Sequence, residues 1–263
     1  MNTYPKVKLL PILTGLLGLA ALALRLGLYR FAQDARGLLN PGDPLNIALW
    51  AVTGFTAVLV CLVTAGLDGS LKYADNFRPS APAALGCFAL AAGTAVTLLL
   101  SLPVWTRLEV LRSIAAALAV PALIWVGICR WRGKRPSFLF HTDVCLYLAF
   151  HAVSHYQAWS SRPQLQDYLF AMLASVLLTL FAYYQTAFDV GLGKRRMQLA
   201  TGLLAAFFCI AALAGGEDVL LYLAGALWAL TGLCRLVPVP RPRKQPEEPQ
   251  DPQTQQESGN APA

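Results

Sequence analysis

The sequence predicts an all-α fold: a polytopic membrane helical bundle with about eight transmembrane helices. Three observations predict it. The 263-residue chain is 56% hydrophobic and only 13% charged, where an average soluble domain is about 25% charged. Its apolar residues gather into eight runs, each near the roughly 20 residues that a helix needs to cross a bilayer. Lys and Arg alternate between the polar breaks that separate those runs. In hydrocarbon the backbone must satisfy its own hydrogen bonds, which a helix does within one segment. The alternating ten-residue strands of a membrane barrel are not seen.

In chain order, the runs are Leu9–Leu28, Leu45–Leu67, Pro82–Val104, Ser113–Cys129, Ser137–Tyr156, Tyr168–Phe188, Met197–Ala214 and Val219–Leu236. The first is too long for the apolar core of a signal peptide, and no small-residue cleavage site follows it, so it reads as an uncleaved span. Pro121 sits near the middle of the fourth run, where it removes a helix hydrogen bond and predicts a kink. The fifth run carries Tyr147, His151 and His155 at i, i+4 and i+8, which puts them on one stripe. In the eighth run, Gly225 and Ala229 give the small-residue spacing of a close helix contact.

The distribution of Lys and Arg sets the orientation. With the N-terminus inside, the inner segments hold Lys6, Lys8, Lys72, Arg78, Arg130, Arg132, Lys134, Arg135, Lys194, Arg195, Arg196, Arg235, Arg241, Arg243 and Lys244. The outer segments hold Arg30, Arg36, Arg107, Arg112 and Arg162. Fifteen against five predicts both termini in the cytoplasm. The net charge of +7 reflects this topology and does not argue for nucleic acid. Tyr29, Trp105, Tyr156, Trp159, Tyr168 and Tyr222 are expected at the outer water boundary, and Trp131, Tyr183 and Tyr184 at the inner one. Trp50 and Trp228 lie deeper and are expected between helices.

The chain divides into a transmembrane domain, residues 1–236, and a Pro-rich cytoplasmic tail, residues 237–263, expected to be disordered. The basic start of the tail faces the anionic inner leaflet. The tail reads either as a solvated, solubilising segment or as a docking point for a cytoplasmic protein partner, and the bilayer is the partner of the rest. Cys61, Cys87, Cys129, Cys145, Cys209 and Cys234 fall in six different runs with no C-x-x-C pair, so they read as packing residues.

Ionisable groups within spans are costly and mark candidate sites. Arg25, Tyr147, His151 and His155 are the candidates for a polar lining or proton relay. Arg25 can snorkel outward past Tyr29 or pair with a buried acceptor. His151 and His155 fit three roles: interhelical hydrogen bonds, a relay using the near-neutral imidazole, or two ligands of a metal. A metal would need further ligands from Glu109, Asp167, Glu217 or Asp218, because Ala152 follows His151 and the glutamate of an H-E-x-x-H motif is missing. No catalytic, metal or cofactor assignment follows from the spacing alone. Asp189, beside Lys194–Arg196, is expected to pair locally.

Ala83–Gly93, "WSSRPQLQDYLFAMLA" at Trp159–Ala174 and "AFDVGLGKRRMQL" at Ala187–Leu199 resemble a group of uncharacterised integral membrane proteins of Gram-positive, clostridia-type bacteria. The resemblance implies a bacterial cell (plasma) membrane and no particular activity. The function classes that remain are a small-solute permease or membrane component of a transport system, a non-transporting scaffold or sensor acting through the inner loops and tail, and an intramembrane enzyme.

The topology is testable directly. Single cysteines at Glu217 and Gln250, in a background without native cysteines, should be labelled from outside and inside respectively. Labelling of both from one face would rule out eight crossings.

Overall fold

The apolar runs fold as expected into long helices. The computed structural model describes residues 4–32, 42–65, 72–101, 107–160 and 166–236, and all elements below are within these. The tail, residues 237–263, lies outside the described residues, as do residues 161–165 of the loop between the fifth and sixth runs. The helices are α1 (Tyr4–Phe31), α2 (Pro44–Thr64), α3 (Tyr73–Asn76), α4 (Ala81–Ser101), α5 (Arg107–Arg132), α6 (Phe138–Trp159), α7 (Gln166–Val190), α8 (Arg195–Ala212) and α9 (Val219–Cys234). Local chemistry sets several ends. Asp43 accepts a hydrogen bond from the Leu45 amide at 2.8 Å, with Pro44 opening α2, as capping and proline preferences dictate. The helix α5 runs through Pro121 as a single element.

Six helices are long and apolar enough to cross a membrane: α1, α2, α4, α5, α7 and α8. The two others that correspond to predicted spans fall short for different reasons. The helix α6 carries three histidines and Asp143, and α9 has only 16 residues. Large apolar side chains such as Leu16, Phe55, Leu99, Leu118, Leu146 and Leu220 cover the outside of the bundle. An apolar perimeter on that scale marks a multi-pass membrane protein, since soluble monomers do not expose such surface.

The packing order gives the architecture. Helix α4 packs on α5, α5 on α6, α6 on α7, α7 on α8, α8 on α9, and α9 returns to α4. The six helices thus close a ring. Outside it, α1 lies against α8, and α2 lies against α1 and α8. Helix α8 is therefore covered on both sides, and 72% of its apolar stretch is buried, against 44% or less in the other five long apolar helices. Trp228, Phe181, Tyr147 and Tyr222 are among the largest fully buried side chains. The Phe181–Trp228 contact, at 4.9 Å between ring centroids, joins α7 to α9. These two helices are not neighbours in the ring, so the contact crosses its interior.

Aromatic placement departs from the sequence expectation in three places. Trp228 is buried as expected, but Trp50 is 41% exposed and faces outward. Trp159 and Tyr222, expected in the outer belt, are buried. Each has a polar partner within the protein, which removes the reason for its ring to sit at the water boundary. The cysteines are all free, and Cys87, Cys129 and Cys209 are buried. Those three fit packing roles, whereas Cys61 and Cys234 are exposed.

Close helix contact rests on glycine. A Cβ on Gly93 of α4 would lie 2.9 Å from the Ala224 Cβ and 3.0 Å from the Leu220 carbonyl oxygen of α9. One on Gly86 would lie 3.0 Å from the Trp228 Cα. Neither backbone can yield, so these two glycines set the α4–α9 distance. Gly225, singled out in the sequence, serves α9 on another side, facing Leu178 and Cys209. Gly93→Val should lower stability by about 1–3 kcal/mol through overpacking. Gly54→Val, where nothing lies within 4 Å, should change it little. Thermal melting of the two variants in detergent checks this.

Candidate functional site

Two polar clusters occupy opposite ends of the ring. The first is built where the C-terminal end of α6 meets the N-terminal end of α9. The i, i+4 spacing puts His151 and His155 side by side, with ring centroids 4.3 Å apart. Both turn towards Asp218, the residue preceding α9. His155 Nε2 lies 2.8 Å from Asp218 Oδ2, and His151 Nε2 lies 3.8 Å from the same oxygen. None of these three atoms has a well-aligned hydrogen bond, and all are buried.

The backbone aims Asp218. Gly216 is left-handed at φ 74°, and Asp218 follows at φ 47° and ψ 33°. Asp218 is the one non-glycine residue with positive φ among the described residues. Aspartate tolerates this region better than most residues, and strain of this kind persists where surrounding structure over-determines it. Burial raises the Asp218 carboxyl pKa, but the contact with His155 and the neighbouring His151 and Arg112 outweigh burial and hold it below the ordinary carboxylate value.

Neighbouring groups frame this cluster. Glu109 pairs with Arg112 at 2.6 Å and accepts a hydrogen bond from the Ser154 hydroxyl. Glu217 accepts one from Trp159 Nε1 at 2.8 Å. A pocket lined by Thr97, Arg112, His155, Gly216, Asp218 and Val219 opens onto the cluster. Of the four acids the sequence offered as partners for the histidines, Asp218 is the one brought into contact. The side chain of Asp167 lies outside the described residues.

Tyr147 is buried two helical turns from His155, with its ring 6.1 Å from that of His151. His151 also lies 6.4 Å from the Tyr222 ring of α9, across the ring of helices. Tyr222 and Ser175 of α7 are hydrogen-bonded at 3.1 Å, again across the interior. The stripe predicted on the fifth run therefore faces the interior of the ring.

Arg25 is elsewhere. It is 3% exposed and does not snorkel outward. Its guanidinium donates to the Ala211 carbonyl at 2.8 Å and to the Tyr29 hydroxyl at 2.6 Å, and stacks 4.7 Å from the Phe170 ring. The last carbonyls of a helix have no intrahelical donor, and a cation there also complements the helix dipole. Arg25 thus caps α8 from α1, outside the six-helix ring. Its role as a path lining is not supported by this position.

The second cluster was not foreseen. Arg130 of α5 donates to the Gln185 side chain of α7 and approaches His141 Nε2 of α6 at 3.3 Å. His141 Nδ1 pairs with Asp189 of α7. All four residues are 4% exposed or less. Asp189 therefore does not pair with the Lys194–Arg196 turn, as the sequence suggested. Its partner comes from another helix, 48 residues earlier. The segment around α3 closes this end. The Ser80 amide donates to the Arg130 carbonyl, and the Arg78 amide to the Arg235 carbonyl. Phe77 stacks under the Arg235 guanidinium at 3.9 Å and meets Phe188 edge-on at 5.0 Å. The sequence signal was present in Gln185, a polar residue inside an apolar run, but its partners are distant in sequence.

Removing one partner of a buried polar pair leaves the other unsatisfied and costs more than removing both. Asp189→Leu should therefore destabilise by roughly 3–5 kcal/mol, and adding His141→Leu should recover part of the loss. Chemical unfolding of the single and double variants measures the recovery. No recovery would return Asp189 to the basic turn. No protein-family model matches this chain, and neither curated proteins nor solved structures show a significant match to it.

Proposed function

We propose that this chain is a small-solute permease, or the membrane component of a transport system, that crosses a bacterial cell membrane eight times with both termini in the cytoplasm. The observation that carries the proposal is the pair of polar clusters inside one closed ring. His151, His155 and Asp218 are at one end, and Arg130, His141, Gln185 and Asp189 are at the other. Ionisable side chains within spans are costly and mark candidate paths or relays. Eight crossings are supported by α6 itself. It contributes residues to both clusters, so it runs the length of the bundle, and its histidines face the interior of the ring while its apolar residues meet lipid. Helix α9 spans about 24 Å at the ordinary helical rise, and Asp218 and Arg235 bound it. In the charge-based orientation the His155 end is outer and the Arg130 end inner.

A second reading has one observation in its favour. The pocket beside His155 and Asp218 also bears Arg112, an arrangement suited to binding and polarising an anionic substrate. That reading makes the protein an enzyme acting at the outer membrane surface.

Alternating access separates the two without knowledge of the solute. Ser175 lies 1% exposed between the clusters, and Ser175→Cys changes little volume. In a permease reconstituted without other cysteines, a membrane-impermeant thiol reagent should modify Cys at this position slowly from either face. No modification from the Arg130 end, with modification from the other, favours the surface enzyme. No modification from either face removes both a transport path and a deep substrate pocket.

A further inference from the structure

We infer that His151, His155 and Asp218 form a binding site for a divalent transition-metal ion of the zinc type, with a coordination position open to the adjacent pocket. Two imidazole nitrogens and one carboxylate oxygen lie within 4.8 Å of one another. In a tetrahedral zinc site with bonds of about 2.1 Å, ligand atoms sit about 3.4 Å apart. The two separations to Asp218 Oδ2, 2.8 and 3.8 Å, bracket that value. A small side-chain movement would equalise them.

Three further features favour a cation over a simple hydrogen-bonded cluster. First, His151 Nε2, His155 Nε2 and Asp218 Oδ2 are buried, face a shared space and lack aligned hydrogen bonds. Orphaned polar atoms in a protein interior cost about 1–3 kcal/mol each, and a shared cation would satisfy three at once. Second, the helical repeat sets His151 and His155 side by side with ring centroids 4.3 Å apart, so both can turn to one ion. Third, the left-handed backbone at Asp218 turns its carboxylate to the histidines, and the nearby acids are already engaged, Glu109 with Arg112 and Ser154, and Glu217 with Trp159.

The donor set selects the ion. Two imidazoles and one carboxylate suit zinc and its first-row neighbours, whereas magnesium and calcium prefer all-oxygen shells. Three protein ligands leave room for a fourth. The pocket bordered by Thr97, Gly216 and Val219 reaches His155 and Asp218, so water or an anionic oxygen could complete the shell there. Sites with three protein ligands and an open position are characteristic of exchangeable or reactive metals rather than closed structural ones. The site concerns the same residues as the permease proposal but does not depend on transport, because purified protein binds or does not bind metal regardless of flux.

Full-length protein, purified in detergent and stripped with a chelator, should bind one equivalent of Co²⁺ with the visible absorption of a four-coordinate site. Zn²⁺ should displace it and raise the melting temperature by binding the native state. His155→Gln and Asp218→Asn should each weaken Zn²⁺ binding by at least about 100-fold, beyond the loss typical of supporting residues. Glu217→Gln should leave it unchanged. If the ligand variants do not fold, the wild-type titration decides alone. Absence of a stoichiometric Co²⁺ or Zn²⁺ site in wild type overturns the inference, and so does equal loss of binding in Glu217→Gln.

Discussion

The exclusion of ionisable groups from lipid organises this molecule. Arg130, His141, His151, Asp189 and Arg235 are all 5% exposed or less, within helices whose outer faces are apolar. Bilayer hydrocarbon offers none of these groups a partner, so each must be enclosed by other helices. Six helices closed into a ring provide that enclosure. The ring in turn depends on the close approach of α4 to α9, where Gly86 and Gly93 leave no room for a side chain. Arg25 obeys the same rule outside the ring by capping the end of α8, where carbonyls would otherwise face hydrocarbon unpaired.

The two clusters enclosed by the ring differ in chemistry. At the Arg130 end, side chains of α5, α6 and α7 bond to one another, while Arg130 Nε and Nη1 and Asp189 Oδ1 are left without a partner, and Phe77 and Tyr73 hold Arg235 at the same end. These bonds fix how the three helices meet. At the Asp218 end, acceptor atoms converge without aligned donors, and a pocket reaches them. A group poised to receive a cation and open to its surroundings has the character of a binding site.

Charge bias in the sequence also acquires a second meaning. Lys and Arg are concentrated in segments expected inside, yet Arg130, Arg195 and Arg235 are buried and hydrogen-bonded or stacked. Part of the positive-inside signal is therefore a set of internal fasteners. Arginine suits this role because its planar, weakly hydrated guanidinium can bond and stack at once.

The sequence by itself determined the helices, because helix length and apolar content are local properties written in consecutive residues. It also determined that His151 and His155 share a stripe, since the helical repeat fixes that geometry within one segment. It narrowed the partner of that stripe to a few acids without choosing among them. Only the tertiary structure chose Asp218, by bringing the start of α9 beside the end of α6 and turning its backbone left-handed. Only the tertiary structure joined His141 to Asp189 and Arg130 to Gln185, and moved Arg25 from the water boundary to a helix end. These contacts link residues 48, 55 and 186 positions apart. They depend on which helices become neighbours, and short-range periodicity carries no information about that.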